Sequence, residues 1–374
     1  MGLTPSRTTT EAVRDRRIER VEPLFSPRRL LEELPLSDEH VDVMLGGRSQ
    51  VHAVLDGEDD RLLVVVGPCS VHDPEATRDY AQRLSATAER LKDDLLIAMR
   101  VYFEKPRTTT GWKGLINDPH LDGSGDVNEG LRRARQVLLG VLGAGLPVGC
   151  EFLDPIMPQY ISDAVSWAAI GARTTESQIH RQLGSGLSMP VGFKNRTDGN
   201  VQVAVDAVRA AAVPHAFAGI DREGTPAIHY TRGNRDCHII LRGGREGPNH
   251  SAEAFAEAMA LLRAAGLPER GMIDFSHDNS GKDPFRQPAV AEDVGRQIAD
   301  GRRAIVGVML ESFLVGGRQD LGDGELVYGQ SITDGCLDWD TTVEVLDGLA
   351  GAVRARRAGC REDSVFACLW PLAA

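Results

Sequence analysis

Arg100, Lys105 and Arg107 fall within a single run of eight residues, beside the hydroxyls of Thr108 and Thr109. Cations and hydroxyls at that density suit a small polyanion carrying phosphate or carboxylate groups. An apolar run, Leu95 to Met99, leads into Arg100, and Val101 and Phe103 then alternate with polar neighbours. That pattern predicts a buried strand, and Pro106 must end it by Lys105 because proline cannot donate to a ladder. A loop rim carrying Lys105, Arg107, Thr108 and Thr109 follows, closing near Trp112-Lys113-Gly114. The ordinary alternative is a solvated loop with scattered charges. An apolar strand running straight into Arg100 disfavours it, because an unpaired buried guanidinium is costly.

Two further chemistries are spread along the chain. Cys69, His277 and Glu311, with Asp334 in Ser331-Ile-Thr-Asp-Gly, offer sulfur, nitrogen and two oxygens. That mixture suits a divalent transition metal such as Mn, Fe, Co or Zn, and is too soft for a dedicated Mg or Ca site. Singly, each has a plain structural reading: core thiol, satisfied strand-end histidine, helix cap. The second set is Arg100, Lys105, Arg173, Lys194 and Arg242, with Arg107 further out. Cations facing one cavity repel one another unless anions bind there. The substrates therefore carry several negative charges.

The elements that must position these residues are legible in the hydrophobic rhythm. Eight apolar strands alternate with helices: Leu62 onward, Leu95 to Glu104, Pro147 onward, Ala169 to Glu176, Pro190 onward, His238 onward, Met272 onward and Ala304 onward. Helices are expected near Pro74 to Leu91, Val127 to Leu142, Pro158 to Ala168, Val201 to Ala212, Ala252 to Ala265, Ala289 to Ala299 and Thr341 to Arg357. Such alternation predicts an α/β fold, a closed (β/α)8 TIM barrel. An open doubly wound sheet is the runner-up, but no G-x-G-x-x-G follows the first strand. In a barrel the strand ends bring Cys69, Arg100, Lys105, Glu151, Arg173, Lys194, Arg242, His277 and Glu311 to one rim, which makes the chain an enzyme. An extra strand pair, His215 to Ile220 and Pro226 to Tyr230, reads as an inserted hairpin near 214–232. Residues 1–60 read as an N-terminal extension with two capped helices and a disordered start, 61–359 as the barrel, and 360–374 as a C-terminal tail.

Composition narrows the partners. A net charge of −12 over 374 residues argues against nucleic acid and anionic membrane surfaces. No apolar run reaches membrane-span length and no signal-peptide core is present, so a cytoplasmic location is expected. Six cysteines (69, 150, 237, 336, 360 and 368) show no C-x-x-C spacing, as reduced thiols would. Of the 42 basic residues, five are lysine (92, 105, 113, 194 and 282), leaving 37 arginines. A retained lysine is notable because only ammonium can give up its proton near neutral pH.

Gly67-Pro-Cys-Ser, Arg100 to Thr109 with Trp112-Lys-Gly, Glu151-Phe-Leu-Asp, Gly171-Ala-Arg-Thr-Thr-Glu-Ser, Gly192-Phe-Lys-Asn, Ile240-Leu-Arg-Gly-Gly and Asp274-Phe-Ser-His together resemble the type I 3-deoxy-D-arabino-heptulosonate 7-phosphate (DAHP) synthases. The likeness covers about residues 24–357 and is to the feedback-regulated subgroup. It implies condensation of phosphoenolpyruvate with erythrose 4-phosphate, the first step of the shikimate pathway, in a homodimer or homotetramer. It implies metal ligation by Cys69, His277, Glu311 and Asp334, and chemistry centred on Lys105, Lys194, His277 and Cys69. Arg173 and Arg242 would hold the phosphate of phosphoenolpyruvate, Lys194 and Arg100 its carboxylate end, with Glu151 and Ala172 in the same pocket. Lys105 would lie between the substrates, and Arg107 and Thr108 would clamp the erythrose phosphate. The sister enzyme that uses arabinose 5-phosphate resembles Lys-Ala-Asn-Arg where this chain has Lys105-Pro-Arg-Thr. A metal-dependent hydrolase would want a His-rich site, and a non-catalytic aromatic amino-acid-binding partner would have lost site residues. The resemblance further implies an aromatic amino-acid effector pocket at Pro158, Gln159, Leu183, Leu187, Ser188 and Phe217. Two positions depart from the usual pattern, Arg196 and Gly219. Glycine at 219 resembles the tyrosine-sensitive forms, where it is expected to leave room for a phenol hydroxyl.

Overall fold

The computed structural model describes residues 14–107, 109–322 and 324–359. The stretch expected to be disordered at the start (residues 1–13 of it), Thr108, and the expected tail 360–374 lie outside the described residues. Two capped helices come first. The Ser26 hydroxyl accepts from Arg29 N ahead of α1 (Pro27–Glu33), with Pro27 at the position where its missing N–H costs nothing. Ser37 and His40 cap each other reciprocally at the start of α2 (Asp38–Asp56).

Strand and helix then alternate: β1 (Leu62–Gly67), α3 (Pro74–Leu91), β2 (Leu95–Arg100), α4 (Val127–Gly143), β3 (Val148–Glu151), α5 (Pro158–Ile161), β4 (Trp167–Ile170), α6 (Gln178–Gly186), β5 (Val191–Lys194) and α7 (Gln202–Ala211). A hairpin interrupts, β6 (Ala216–Ile220) with β7 (Pro226–Tyr230). The rhythm resumes with β8 (His238–Leu241), α8 (Ala252–Ala264), β9 (Gly271–Asp274), α9 (Gln287–Ala299) and β10 (Ile305–Glu311). A short pair, β11 (Val315–Arg318) and β12 (Gln330–Ser331), precedes α10 (Trp339–Ala358). The eight strands other than the two pairs close a parallel barrel, β1-β2-β3-β4-β5-β8-β9-β10 and back to β1. This is the (β/α)8 barrel expected from the alternation.

Burial on both faces explains the continuous apolar strands. Leu63, Val65, Leu96, Ala98, Trp167, Ile240, Met272 and Met309 pack together inside the barrel, joined by Val51, Val54 and Leu55 of α2. Their neighbours Leu62, Val64 and Val66 pack outward with the helices. Burying each such side chain is worth about 1.5–3 kcal/mol.

Three boundaries differ from expectation. The fourth strand is Trp167–Ile170, and the expected stretch from Gly171 to Glu176 is a turn. The preceding helix is only Pro158–Ile161, with a 3-10 turn at Ser162–Ala164. Alanines at 164, 168 and 169 mimic helical pattern, but filling the barrel with fully buried Trp167 decides the outcome. The second strand is Leu95–Arg100, shorter than expected; Val101 N–H still bonds to Gly149 O of β3, and Lys105 N–H bonds to Lys113 O of the rim loop. Among the described residues, Cys69, Cys150, Cys237 and Cys336 are free, buried thiols.

Candidate active site

The carboxyl ends of the barrel strands surround one cavity of about 290 Å³. Arg100, Lys105, Arg107, Glu151, Ala172, Arg173, Lys194, Arg242, His277, Glu311 and Asp334 all line it. Cys69 sits just beneath, fully buried, within reach of the same groups.

Three clusters organise it. The first holds the sulfur, nitrogen and oxygen donors. One ligand atom each from Cys69, Glu311 and Asp334 lie within 4.8 Å of one another, and His277 Nε2 is 3.8 Å from Glu311 Oε1. Lys105 Nζ stands over them, 2.9 Å from Cys69 Sγ and 3.2 Å from Asp334 Oδ2. Burial, and then Glu311, push the Cys69 thiol up to about 12. Lys105 holds the Asp334 carboxyl well below the usual range. A borderline-soft divalent ion matches one thiolate and two carboxylates gathered at one point, with the His277 imidazole beside Glu311 but outside that group of three. A second group, His52 with Asp56 and Asp236, lies by α2 at the other end of the barrel, where Arg270 already pairs with Asp56.

The second cluster is Arg100, almost wholly buried at the end of β2. Its guanidinium donates to Glu311 Oε1 at 2.9 Å, to the Pro68 and Cys69 carbonyls at 3.1 Å, and lies 3.7 Å from the Tyr102 ring centroid. Such partners make a buried charge tolerable. The third is Lys194, whose Nζ donates to Asp274 Oδ2 at 3.0 Å. The same carboxylate is 3.0 Å from His277 Nδ1, which orients the ring. Burial works against the Asp274 charge, yet Lys194 and His277 hold its carboxyl well below the ordinary range. His277 itself has φ of +58°, a left-handed conformation rare outside glycine.

Four residues at or beside the cavity are not marked by sequence pattern. Asp274 opens Asp274-Phe-Ser-His at the end of an apolar strand, where it reads as merely structural. Glu104 has its carboxyl raised to about 7 by burial, against the pull of the Asp154 and Leu153 N–H groups that it accepts. Its place within a polar loop entry hid that burial. Tyr102 reads as one more strand residue. Gln287 brackets Glu311, accepting from its N–H at 3.0 Å and donating to its carbonyl at 2.9 Å. Nothing in the sequence signals a pairing 24 residues apart. A Cβ at Gly171 would stand 2.8 Å from Glu151 Oε1, so a larger residue there must shift the Glu151 carboxylate. Arg107 is folded back, donating to Trp112 O at 2.8 Å.

Residues 35–347 match the model of the DAHP synthetase I family. The chain belongs to this family. A "Phospho-2-dehydro-3-deoxyheptonate aldolase, Phe-sensitive" from Escherichia coli K12 is 57% identical over 92% of this chain and 98% of its own length. The corresponding "Tyr-sensitive" protein of the same strain is 51% identical over 90% and 96%. The solved structure of a phospho-2-dehydro-3-deoxyheptonate aldolase from Francisella tularensis superposes with a TM-score of 0.90, at 48% identity over 91% of this chain and 99% of that one.

The residues that this DAHP synthetase I family member was expected to use for an effector lie away from the cavity. Pro158 and Gln159 belong to α5, Leu183 is buried on α6, Leu187 and Ser188 follow α6, and Phe217 and Gly219 are on β6. Helix α6 is tied to the hairpin by a 2.7 Å bond between Ser185 Oγ and Thr231 Oγ1. The hairpin tip meets α1, with Arg28 N donating to Arg222 O at 2.8 Å. The space at Gly219 is not open. His229 stacks on Phe217, and a Cβ at 219 would stand 2.8 Å from its ring.

Proposed function

We propose that this protein is a feedback-regulated DAHP synthase, joining phosphoenolpyruvate, D-erythrose 4-phosphate and water to give DAHP and phosphate. The observation that carries this reading is the convergence of five cations, Arg100, Lys105, Arg173, Lys194 and Arg242, on the cavity beside the Cys69, His277, Glu311 and Asp334 set. Cys69, His277, Glu311 and Asp334 would hold a divalent ion (Mn, Fe, Co or Zn), which when bound supplies Lewis acidity toward an aldehyde oxygen.

The chain's own residues hold and align the two anions. Arg173 and Arg242 take the phosphate of phosphoenolpyruvate, with Ala172 and Glu151 completing that wall. Arg100 and Lys194 face its carboxylate end. Arg107 leaves Trp112 O and, with Thr108, takes the erythrose phosphate. Lys105 stands between the substrates. Holding the methylene carbon against the aldehyde carbon overcomes the mutual repulsion of two phosphate esters, and this positioning supplies much of the rate. The new carbon–carbon bond leaves positive charge on the central carbon of phosphoenolpyruvate, which water captures. The resulting tetrahedral species expels phosphate to give the keto sugar.

The effector site is formed by Pro158, Gln159, Leu183, Leu187, Ser188, Phe217 and Gly219, and tyrosine is its preferred ligand. Because Gly219 leaves room for the His229 imidazole, that ring offers a partner to a phenol hydroxyl, which must be bonded when buried. The enzyme works as a cytoplasmic homodimer or homotetramer, with residues 1–60 as an extension of the 61–359 barrel; none of the described helices is long and apolar enough to cross a membrane. The test is phosphate release from phosphoenolpyruvate with erythrose 4-phosphate against arabinose 5-phosphate. Turnover is expected with the four-carbon sugar, and turnover with the five-carbon sugar alone would sink the reading.

A further inference from the structure

Arg242 is buried, with only 5% of its surface exposed, and its contacts are one-sided. Nη1 donates to Asp278 Oδ2 and to Gly243 O, whereas the buried Nε has no hydrogen-bond partner among the described residues. An orphaned buried donor is costly. Arg242 nevertheless lines the cavity, where a guanidinium suits a phosphate.

We propose that Asp278 is a positioning residue for substrate phosphate, anchoring Arg242 by Nη1 so that its guanidinium is held at the wall of the cavity that it lines. The inference rests on the reading of Arg242 as a phosphate ligand and names the residue that tunes it. The loops after β8 and β9 are locked together around this pair. Asp278 N donates to Arg242 O at 3.2 Å. Asn279 Nδ2 ties the same loop to Leu241 O and Asp274 O, at 3.1 and 2.8 Å. Gly243, at φ +75°, admits this approach, since a Cβ there would lie 2.6 Å from Asp278 C. The Asp278 carboxylate is therefore carried on a fixed backbone.

A carboxylate beside a phosphate site would ordinarily repel the ligand. Here Lys282 Nζ is 4.0 Å from Asp278 Oδ1, so the acid is shared between two cations and the site keeps its positive balance. Asp278 is not among the residues that line the cavity, so it does not stand where the phosphate would bind. Two rival readings remain distinct in their consequences. An acid that merely stabilises the loop would affect folding alone, and an acid that competes with phosphate would weaken substrate binding.

The experiment is steady-state kinetics on the Mn-loaded enzyme, varying each substrate in turn, with melting temperatures and calorimetric binding of phosphoenolpyruvate for each variant. Asp278→Ala is expected to raise the phosphoenolpyruvate KM and Kd roughly tenfold, the effect of one lost bond to a charged group. Its kcat and its KM for erythrose 4-phosphate should move less than about threefold, as for lost ground-state binding. Asp278→Asn keeps an acceptor oxygen and should recover most of the affinity. An unchanged or lowered phosphoenolpyruvate KM in Asp278→Ala overturns the proposal. So does equal impairment of both variants with a shared fall in melting temperature. A normal phosphoenolpyruvate KM in Arg242→Lys takes down the reading of Arg242 itself, and the proposal with it.

Discussion

Lys105 and Arg107 stand two residues apart, yet they belong to different parts of the reaction. Lys105 lies over Cys69 and Asp334, whereas Arg107 is exposed and bonded to its own loop. Lys105→Arg should therefore lower kcat by on the order of a hundredfold, because guanidinium neither releases a proton nor fits the ammonium's place. Arg107→Ala should instead raise the KM for erythrose 4-phosphate about tenfold and leave that for phosphoenolpyruvate nearly unchanged. Steady-state kinetics on the two variants check this split, and near-normal kcat in Lys105→Arg would leave Lys105 a positional charge only. Cys69→Ser removes the softest donor while keeping the shape, so metal content after dialysis and turnover should both fall more than about tenfold with the melting temperature of the apo form little changed. Full activity with no metal retained would refute it. Glu104 carries a pH signature. Its folded value, about 7, lies above its ordinary value of 4.5, so folding favours the neutral acid. That contribution is fully present at low pH and is lost as pH rises from about 4.5 through about 7. Glu104→Gln should flatten the fall in melting temperature across that window, read by thermal scans at several pH values.

At the scale of elements, the barrel strands are legible as short apolar runs, several ending on a charged residue at the rim, except the fourth, whose expected bounds are displaced. The hairpin was legible too, from its surplus position between α7 and β8. What the sequence hid were places where tertiary packing overrides local pattern. Trp167 and its alanines read as helix, and only the barrel interior makes them strand. The strand carrying Arg100 ends there, well before Pro106, with the Val101 N–H still bonded to Gly149 O of β3. Gly219 was read as vacant space, but the occupant, His229, comes from the opposite strand of the hairpin, a pairing of 219 with 227 and 217 with 229 that composition cannot show. Gly219→Ser must then push the His229 ring aside. Tyrosine should be the strongest inhibitor of the native protein, and the serine variant should lose about 1–3 kcal/mol of preference for it over phenylalanine. Inhibition curves for tyrosine, phenylalanine and tryptophan on both forms decide the matter. If none inhibits either form, the hairpin is not a working effector site.

Across the whole molecule, the candidate site was readable to the extent that it depends on strand ends. Closing the barrel puts Cys69, Arg100, Glu151, Lys194, Arg242, His277 and Glu311 at one rim, whatever the loops do. The residues that went unassigned, Asp274, Glu104 and Gln287, hold or bracket others. Their roles arise from distances such as the 3.0 Å between Asp274 and both Lys194 and His277. The central claim is that one cavity holds two phosphorylated substrates and joins them, rather than stripping phosphate from one. The most direct measurement is carbon NMR of the product made from phosphoenolpyruvate labelled at its methylene carbon, with erythrose 4-phosphate and the metal-loaded enzyme. The account predicts that the label appears in the methylene next to the keto carbon of a seven-carbon keto sugar phosphate, with one phosphate released per bond formed. Label appearing only in pyruvate, with erythrose 4-phosphate left intact, would contradict it.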